Sequence, residues 1–234
     1  DVNIKFTPGN CYGLIGANGT GKSTFLKVLS GEVDPSAGEV VITPGERLAV
    51  LKQNHYEFDE FGVLETVIMG HSRLHAIMQE KEILCAKPDF SDEDGMCLAN
   101  LECEFAELNG WDAETEAARL LKGLGVANDL HGLKMKDMTP LDKVKVLLAH
   151  ALFGNPDILL LDEPMAGMGP DETLRLTELI ETMRGKATML LVEHDMEAVF
   201  RLADRISVLV AGHIIATGTA AEIRDNEAVR QAYL

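Results

Sequence analysis

Several features that would point to particular classes of protein are missing from this sequence of 234 residues. No apolar run approaches the ~20 residues that a membrane-spanning helix needs. The first residues, DVNIKFTPG, have neither the basic nor the apolar region of a secretory signal. The four cysteines include no CxxC pair, so we interpret them as reduced thiols and not as a disulfide framework. These absences predict a cytoplasmic protein, and attachment to the surface of a membrane stays open.

Basic residues are also scarce: 21 Lys and Arg stand against 38 Asp and Glu, for a net charge of −17. Residues 80–116 alone contain twelve acidic residues and two lysines. A protein of this charge repels nucleic acid phosphates unless its basic residues gather on one face, and no such cluster is visible. We therefore expect no DNA partner. The acidic segment itself is most simply a solvated helix face.

The hydrophobic pattern predicts an α/β fold with a mainly parallel sheet. Short aliphatic runs typical of buried strands occur at 11–16, 38–42, 47–51, 158–161, 188–193 and 205–210. Amphipathic segments such as 171–184 separate them, and strand and helix in alternation favour a parallel sheet. No convincing strand occurs over 63–124, where Ser91 is a candidate N-cap and Leu98, Leu101, Phe105 and Leu108 form one apolar helix face. We predict a core over 1–62 and 143–234 with a helical lobe inserted over 63–142.

Between the first strand and the helix that follows it, GANGTGKS at 16–23 fits the phosphate-binding pattern GxxxxGK[ST]. Glycines allow a tight curl in which successive N–H groups point at phosphate oxygens, and the N-terminus of the helix favours the same anion. A lysine at this position reaches the β and γ phosphates, and a serine can ligate Mg²⁺. The predicted nucleotide-binding residues of this loop are Gly16, Asn18, Gly19, Gly21, Lys22, Ser23 and Thr24.

Two carboxylates follow a later aliphatic run. Asp162 and Glu163 come directly after Ile158–Leu161, at the carboxyl edge of the predicted sheet, where open α/β folds bind ligands. We expect Asp162 to hold Mg²⁺ through water and Glu163 to polarise the attacking water. Taken alone, such a pair could instead mark a turn, but the phosphate loop favours the functional interpretation.

His194 and Gln53 each end or follow another apolar strand. A histidine at this edge can contact a γ-phosphate, although a histidine at a strand end is more often a structural hydrogen bonder. The side-chain oxygen of Gln53 could contact Mg²⁺ or water. We predict Glu163 and His194 as catalytic residues, and Ser23, Gln53 and Asp162 as the Mg²⁺ site, direct or through water. His71 and His75 also stand four residues apart, but no third metal ligand is evident near them.

These elements, in this order, resemble the ATP-binding cassette (ABC) superfamily, which implies bound ATP and Mg²⁺ and a second cassette as partner. Residues 1 to about 157, with VLETVIMGH and AELNGWDAE, resemble the first cassette of ABC-F proteins. From about 158 onward, LDEPMAGMGPDET, LLVEHDMEAVF and IIATGTAAEIR resemble the ATPase subunit of branched-chain amino-acid importers. The two halves together suggest a recombined or engineered chain. A membrane subunit or the ribosome would be the partner of one parent family or the other, and no feature favours either.

The resemblance fails at the signature motif, normally LSGGQ or a near variant. The aligned residues are Met138, Thr139, Pro140, Leu141 and Asp142. In the family this motif contacts the γ-phosphate of ATP held by the opposite subunit. Leucine replaces a glycine that lets backbone approach phosphate, and proline lacks an N–H donor. Thr139 can nevertheless cap the helix, with proline in its first turn. We predict that the helix persists and that its anion contact is lost.

Two smaller departures concern the adenine site and the loop after Glu163. The resemblance implies a strand and an adenine-stacking aromatic residue upstream of Asp1, so we expect weakened affinity for the base. Gly169 stands where many cassettes have aspartate. Three functions stay open: an ATPase module for translation control or transport, a module that binds ATP without turnover, and an engineered fold without a biological role.

Overall fold

The computed structural model describes residues 2–52, 54 and 56–233. The chain divides into two compact units, Asp1–Asn54 with Asn155–Leu234, and His55–Gly154. The strands are β1 Cys11–Ile15, β2 Leu48–Leu51, β3 Ile158–Asp162, β4 Thr188–Val192, β5 Arg205–Val210 and β6 His213–Gly218. The α-helices are α1 Lys22–Leu29, α2 Val63–Ile68, α3 Ser72–Cys85, α4 Asp92–Glu107, α5 Ala113–Gly123, α6 Pro140–Leu152, α7 Pro170–Glu181, α8 Met196–Leu202, α9 Ala220–Asp225 and α10 Glu227–Tyr233. Short 3₁₀ helices cover Gly110–Asp112, Asn128–Leu130 and Met135–Asp137.

The first unit is built on one six-stranded sheet in the order β2-β3-β4-β1-β5-β6. The four pairs from β2 to β5 are parallel, and only β5 with β6 is antiparallel. The carboxyl ends of β3, β4 and β1, which are neighbours, therefore open on the same edge of the sheet. The predicted α/β class with a mainly parallel sheet is confirmed.

The central strands consist largely of apolar residues, and this composition suits strands that are covered on both faces. All five residues of β1 and all five of β4 are buried, as expected for strands covered on both faces. One core cluster of this unit contains Tyr12, Leu14, Leu26, Leu160, Leu190, Val192 and Leu209. The apolar side chains of β1, β3 and β4 thus fix the sheet, and the polar residues that follow each strand are left at its edge.

The strand predicted at 38–42 does not form. This segment has no regular structure, and Val41 is 79% exposed. A strand needs a hydrogen-bonded neighbour, and none of the described residues pairs with 38–42. The other five predicted strands occur within a residue of their expected bounds, whereas the antiparallel β6 was not predicted. The segment predicted as a helix over 171–184 is α7, which begins and ends earlier.

The second unit is helical, as the sequence indicated for its central part. Helix α4 begins at a capping box in which the Ser91 side chain accepts from the Asp94 N–H, and Asp94 accepts from the Ser91 N–H. Leu101 and Phe105 are buried on one face of this helix. The Arg73 guanidinium of α3 donates to the Glu104 carboxylate of α4, with Nε 2.7 Å from Oε1. Across the part of the chain that the structure describes, no helix combines the length and apolarity that crossing a membrane requires.

Candidate functional site

The predicted phosphate loop connects β1 to α1, and its glycines meet two different constraints. Gly19 and Gly21 have φ angles of 78° and 102°, in the left-handed region that other residues rarely adopt. Gly16 is constrained by space instead, since a Cβ there would lie 2.5 Å from the Leu209 carbonyl oxygen and 2.6 Å from Thr20 Oγ1. The loop therefore has the tight curl expected of a phosphate cradle.

Lys22 is the first residue of α1 and is 5% exposed. Its Nζ donates to the carbonyl oxygens of Gly16, at 2.8 Å, and Ala17, at 3.2 Å. Burial lowers the pKa of Lys22, and the charges of Asp162 and Glu163 oppose that shift. The ammonium group is thus already desolvated, folded over the loop, and close enough to both carboxylates to interact with them electrostatically. Asn18, Ser23 and Thr24 are exposed at the same end of the helix.

Asp162 is the last residue of β3, and its Oδ1 is buried without a hydrogen-bond partner among the described residues. Burial raises the pKa of Asp162, and the charge of Glu163 raises it further, whereas Lys22 opposes the increase. A buried, unpartnered carboxylate oxygen is costly to maintain unless another group meets it. An oxygen ligand of this kind suits Mg²⁺, so the local chemistry fits the predicted cation site.

Glu163 and His194 are brought together. His194 Nε2 lies 2.7 Å from Glu163 Oε1. Glu163 follows β3 with a φ of 47°, in the left-handed region, and its N–H donates to the Val192 carbonyl oxygen at the end of β4. His194 follows β4, and Asp195 then caps α8 by accepting from two N–H groups. The two residues predicted as catalytic therefore lie in direct contact at the sheet edge.

One buried residue at this edge was not predicted to take part in the site. Glu193 is 4% exposed, and its carboxylate accepts from the Met165 N–H at 2.7 Å and from the His194 N–H at 3.0 Å. Burial raises the pKa of Glu193. The sequence carried a signal that we did not use: a glutamate follows four buried apolar residues of β4, where a charge needs a specific partner.

The remaining predicted residues fall elsewhere. Gln53 lies outside the described residues. In the second unit, Thr139 Oγ1 accepts from the Asp142 N–H at 3.2 Å, and Pro140 is in the first turn of α6, so the expected capping is confirmed. His71 instead caps α3, through Nδ1 that accepts from the Leu74 N–H. Among the described residues no group of three or more His, Cys, Asp or Glu side chains could hold a metal ion.

A phosphate loop after β1, an acidic pair at the end of β3 (two strands away) and a mainly parallel sheet define a P-loop α/β nucleotide-binding fold. Comparison with known proteins narrows the class. Residues 1–166 match the family model described as ABC transporter, and residues 213–234 match the model described as branched-chain amino acid ATP-binding cassette transporter. The chain belongs to the ABC transporter family, and its fold is that of an ATP-binding cassette.

Several curated ATP-binding proteins are similar to this chain. The uncharacterized ABC transporter ATP-binding protein YkpA of Bacillus subtilis (strain 168) is 60% identical over 209 residues, covering 89% of this chain and 38% of the relative. The probable ATP-binding protein YbiT of Escherichia coli O157:H7 is 46% identical, covering 83% of this chain and 36% of the relative. The chain thus spans well under half the length of these two proteins. The high-affinity branched-chain amino acid transport ATP-binding protein LivG of Escherichia coli (strain K12) is 31% identical, covering 100% of this chain and 90% of LivG.

Solved structures confirm the fold. The ADP conformation of MJ1267, an ATP-binding cassette of an ABC transporter, aligns with a TM-score of 0.73 and 23% identity over 99% of this chain and 90% of that one. The dimeric structure of the ATP-binding cassette MJ0796 bound to ADP and Pi aligns with a TM-score of 0.69 and 19% identity over 94% of this chain and 89% of that one.

Proposed function

We propose that this chain is a cassette domain that binds MgATP at the edge formed by β1, β3 and β4, and that its altered signature motif slows hydrolysis. The observation that carries the binding proposal is the combination of Lys22, desolvated over the phosphate loop, with the unpartnered Oδ1 of Asp162. MgATP would supply a cation for the Asp162 carboxylate and negative phosphate oxygens for the Lys22 ammonium. We also propose that the chain has two functional parts. These are a nucleotide-binding core over 1–62 and 143–234, and a helical lobe over 63–142.

Within this proposal, the phosphate loop and the carboxylates have separate tasks. The N–H groups of Gly16 to Thr24 and the Lys22 ammonium stabilise the negative phosphate oxygens. Ser23 and Asp162 hold Mg²⁺, and Gln53 is the third group that we assign to it. The cation neutralises phosphate charge when it is bound. Glu163 orients a water molecule and accepts its proton, and His194 holds Glu163 in place through the 2.7 Å contact.

The proposed impairment concerns the partner subunit's ATP, because the family's signature acts across the dimer. Pro140 offers no N–H, the Leu141 side chain stands where the family has glycine, and Asp142 adds negative charge at the helix N-terminus. Two copies of this chain would each present such a motif to the other. A different cassette with an intact motif would restore hydrolysis at this chain's own phosphate loop. A second cassette is therefore the partner that we propose, and the dimeric MJ0796 structure supports it.

An active ATPase is the second candidate, and the preserved Glu163–His194 contact favours it. In this case the chain would be a cytoplasmic ATPase. If it serves transport, as the name of LivG suggests, it would bind a membrane subunit. An ABC-F role in translation rests on the resemblance of residues 1–157. The third candidate, a recombined or engineered chain, is supported by the separate match of residues 213–234. One continuous natural homologue aligned closely along both halves would contradict that third candidate.

Binding is tested with Lys22→Gln, measured as the Kd for ATP by calorimetry in the presence of Mg²⁺. A hydrogen bond to a charged group contributes about 1.5–3 kcal/mol, so the Kd should rise roughly 10- to 100-fold. Lys27→Gln is the matched control, because Lys27 is exposed on the same helix. Equal effects of the two variants would contradict a specific phosphate contact by Lys22.

Hydrolysis is tested by steady-state phosphate release from the protein and from Glu163→Gln, once ATP binding by both has been measured. Glu172→Gln is the control, since the Glu172 carboxylate accepts from the Gly169 N–H at the start of α7, away from the proposed site. Turnover that Glu163→Gln abolishes would establish the active ATPase. Binding with no turnover above that of Glu163→Gln would establish a nucleotide-holding domain.

A further inference from the structure

The two members of the proposed catalytic pair lie on separate loops, so their contact depends on how those loops are held together. Glu163 is the first residue after β3, and His194 is the second residue after β4. The strands themselves are in parallel register, with Asp162 beside Val192. Beyond the strand ends this register no longer constrains the chain, and the Glu163 N–H to Val192 carbonyl bond of 2.9 Å is the last main-chain link. Further fixing must come from side chains.

Glu193 supplies such a link with both oxygens of one carboxylate. Oε1 accepts from the Met165 N–H, two residues beyond Glu163, and Oε2 accepts from the His194 N–H itself. The side chain is 4% exposed, so water does not compete for these bonds. Both partners are donors, and an ionised carboxylate is the side chain that accepts from two donors at once.

Two reasons argue against a role in stability alone. An apolar residue would bury this position without the desolvation that raises the pKa of Glu193. Moreover, the two bonds join the loop that carries Glu163, two residues beyond it at Met165, to His194 itself. A displacement of about 1 Å at a catalytic group can lower a rate by about 100-fold, so a bridge placed here bears on catalysis.

We propose that Glu193 is a positioning residue, whose carboxylate clamps the loops after β3 and β4 and thereby sets the contact between Glu163 and His194. The clamp deepens the proposed hydrolytic function and rests on it for its catalytic consequence. Its two side-chain hydrogen bonds go to the loops after β3 and β4, so we expect it to act on turnover and to leave ATP affinity unchanged.

The experiment compares Glu193→Gln with the wild-type protein by turnover, ATP Kd and amide hydrogen exchange. Glutamine keeps the shape but turns an NH₂ group toward one of the two N–H donors. We expect turnover to fall at least tenfold, the Kd for ATP to change less than twofold, and exchange at the Met165 and His194 amides to accelerate at least tenfold. Glu222→Gln is the control, since Glu222 accepts from Thr219 at the start of α9 and should change none of these quantities.

The readouts separate the clamp from the proposed function. If the wild-type protein binds ATP without turnover, the hydrolytic proposal fails, and accelerated exchange at the two amides still supports the clamp. Unchanged exchange and unchanged turnover in a folded Glu193→Gln protein would overturn it. A parallel loss of ATP affinity, turnover and thermal stability would also overturn it, because a merely structural residue gives that result.

Discussion

Restoring the signature motif tests the proposed cause of slow hydrolysis. The double substitution Pro140→Gly and Leu141→Gly returns an N–H donor and removes the leucine side chain from the first turn of α6. Removing one well-placed donor from a charge-stabilising site costs about 100- to 1,000-fold in rate, so regaining one should raise turnover at least about tenfold. Because we propose that the motif faces ATP bound to the opposite subunit, the assay must be run at concentrations where the protein dimerises.

The stability cost of this change follows from burial. Leu141 is 7% exposed, and truncating a buried leucine costs about 2–5 kcal/mol, to which glycine in a helix adds about 1 kcal/mol. A cost of about 3–6 kcal/mol is large against the ~5–15 kcal/mol of a typical domain. Pro140 is exposed, and its replacement should cost only about 0.4–1 kcal/mol. Pro140→Gly alone is therefore the variant that adds the donor and keeps the fold.

The assay is phosphate release at saturating MgATP, normalised to the folded fraction from circular dichroism, with Glu163→Gln added in each background as the blank. A rise in turnover that Glu163→Gln abolishes would support the reasoning. Two results would refute it. The first is a folded, ATP-binding and dimeric variant whose turnover does not rise. The second is a wild-type protein that already turns over at the ~10 s⁻¹ typical of enzymes, which would leave no impairment to explain.

Two further predictions concern the thiols and the phosphate loop. A thiol reagent at pH 8 should modify the three exposed cysteines of the native chain, Cys85, Cys97 and Cys103. Cys11 is buried and should react only after unfolding. Burial raises the pKa of Cys11 from 9.0 to about 12, so above pH 9 the native state retains a proton that the unfolded chain releases. The free energy of unfolding should therefore fall as pH rises from 9 toward 12. Cys11→Ser should reduce this pH dependence in a series of denaturant melts. Gly16→Ala should disrupt ATP binding by displacing the loop, whereas Gly19→Ala, with no atom within 4 Å of the added Cβ, should lower the free energy of unfolding by only the ~1–2 kcal/mol of left-handed backbone. Calorimetry and denaturant melts check both, and equal Kd values for the two glycine variants would contradict the steric argument.

The sequence was most informative where a local pattern and its neighbours agreed. The apolar runs at β1, β3 and β4 predicted these strands, and the glycine-rich pattern after β1 predicted the phosphate loop. The proximity of Glu163 and His194 was also predictable, because parallel strands place their carboxyl ends on one edge of the sheet. The strand predicted at 38–42 was wrong for the converse reason. Its residues have strand propensity, but pairing depends on a neighbour, which no local pattern reveals.

Two features of the site were not predicted from the sequence patterns that we used. Glu163 adopts a left-handed backbone conformation in the turn after β3. Glutamate rarely adopts this conformation, so its presence in the sequence does not predict it. The clamp by Glu193 depends on two N–H groups, one of them 28 residues away in sequence. Only the tertiary arrangement of the loops shows that this carboxylate has two donors.

The position of β1 in the sheet has a consequence for the order in which the site is assembled during synthesis. β1 pairs with β4 and β5, which begin at Thr188 and Arg205 and are therefore synthesised long after Cys11–Ile15. The second unit draws on one continuous stretch, so its contacts become available earlier. The strand that carries the phosphate loop is therefore synthesised well before the two strands with which it pairs. A nascent chain that ends between residues 195 and 204 contains every residue of the proposed site, yet it still lacks β5, the strand that pairs with β1 on one side.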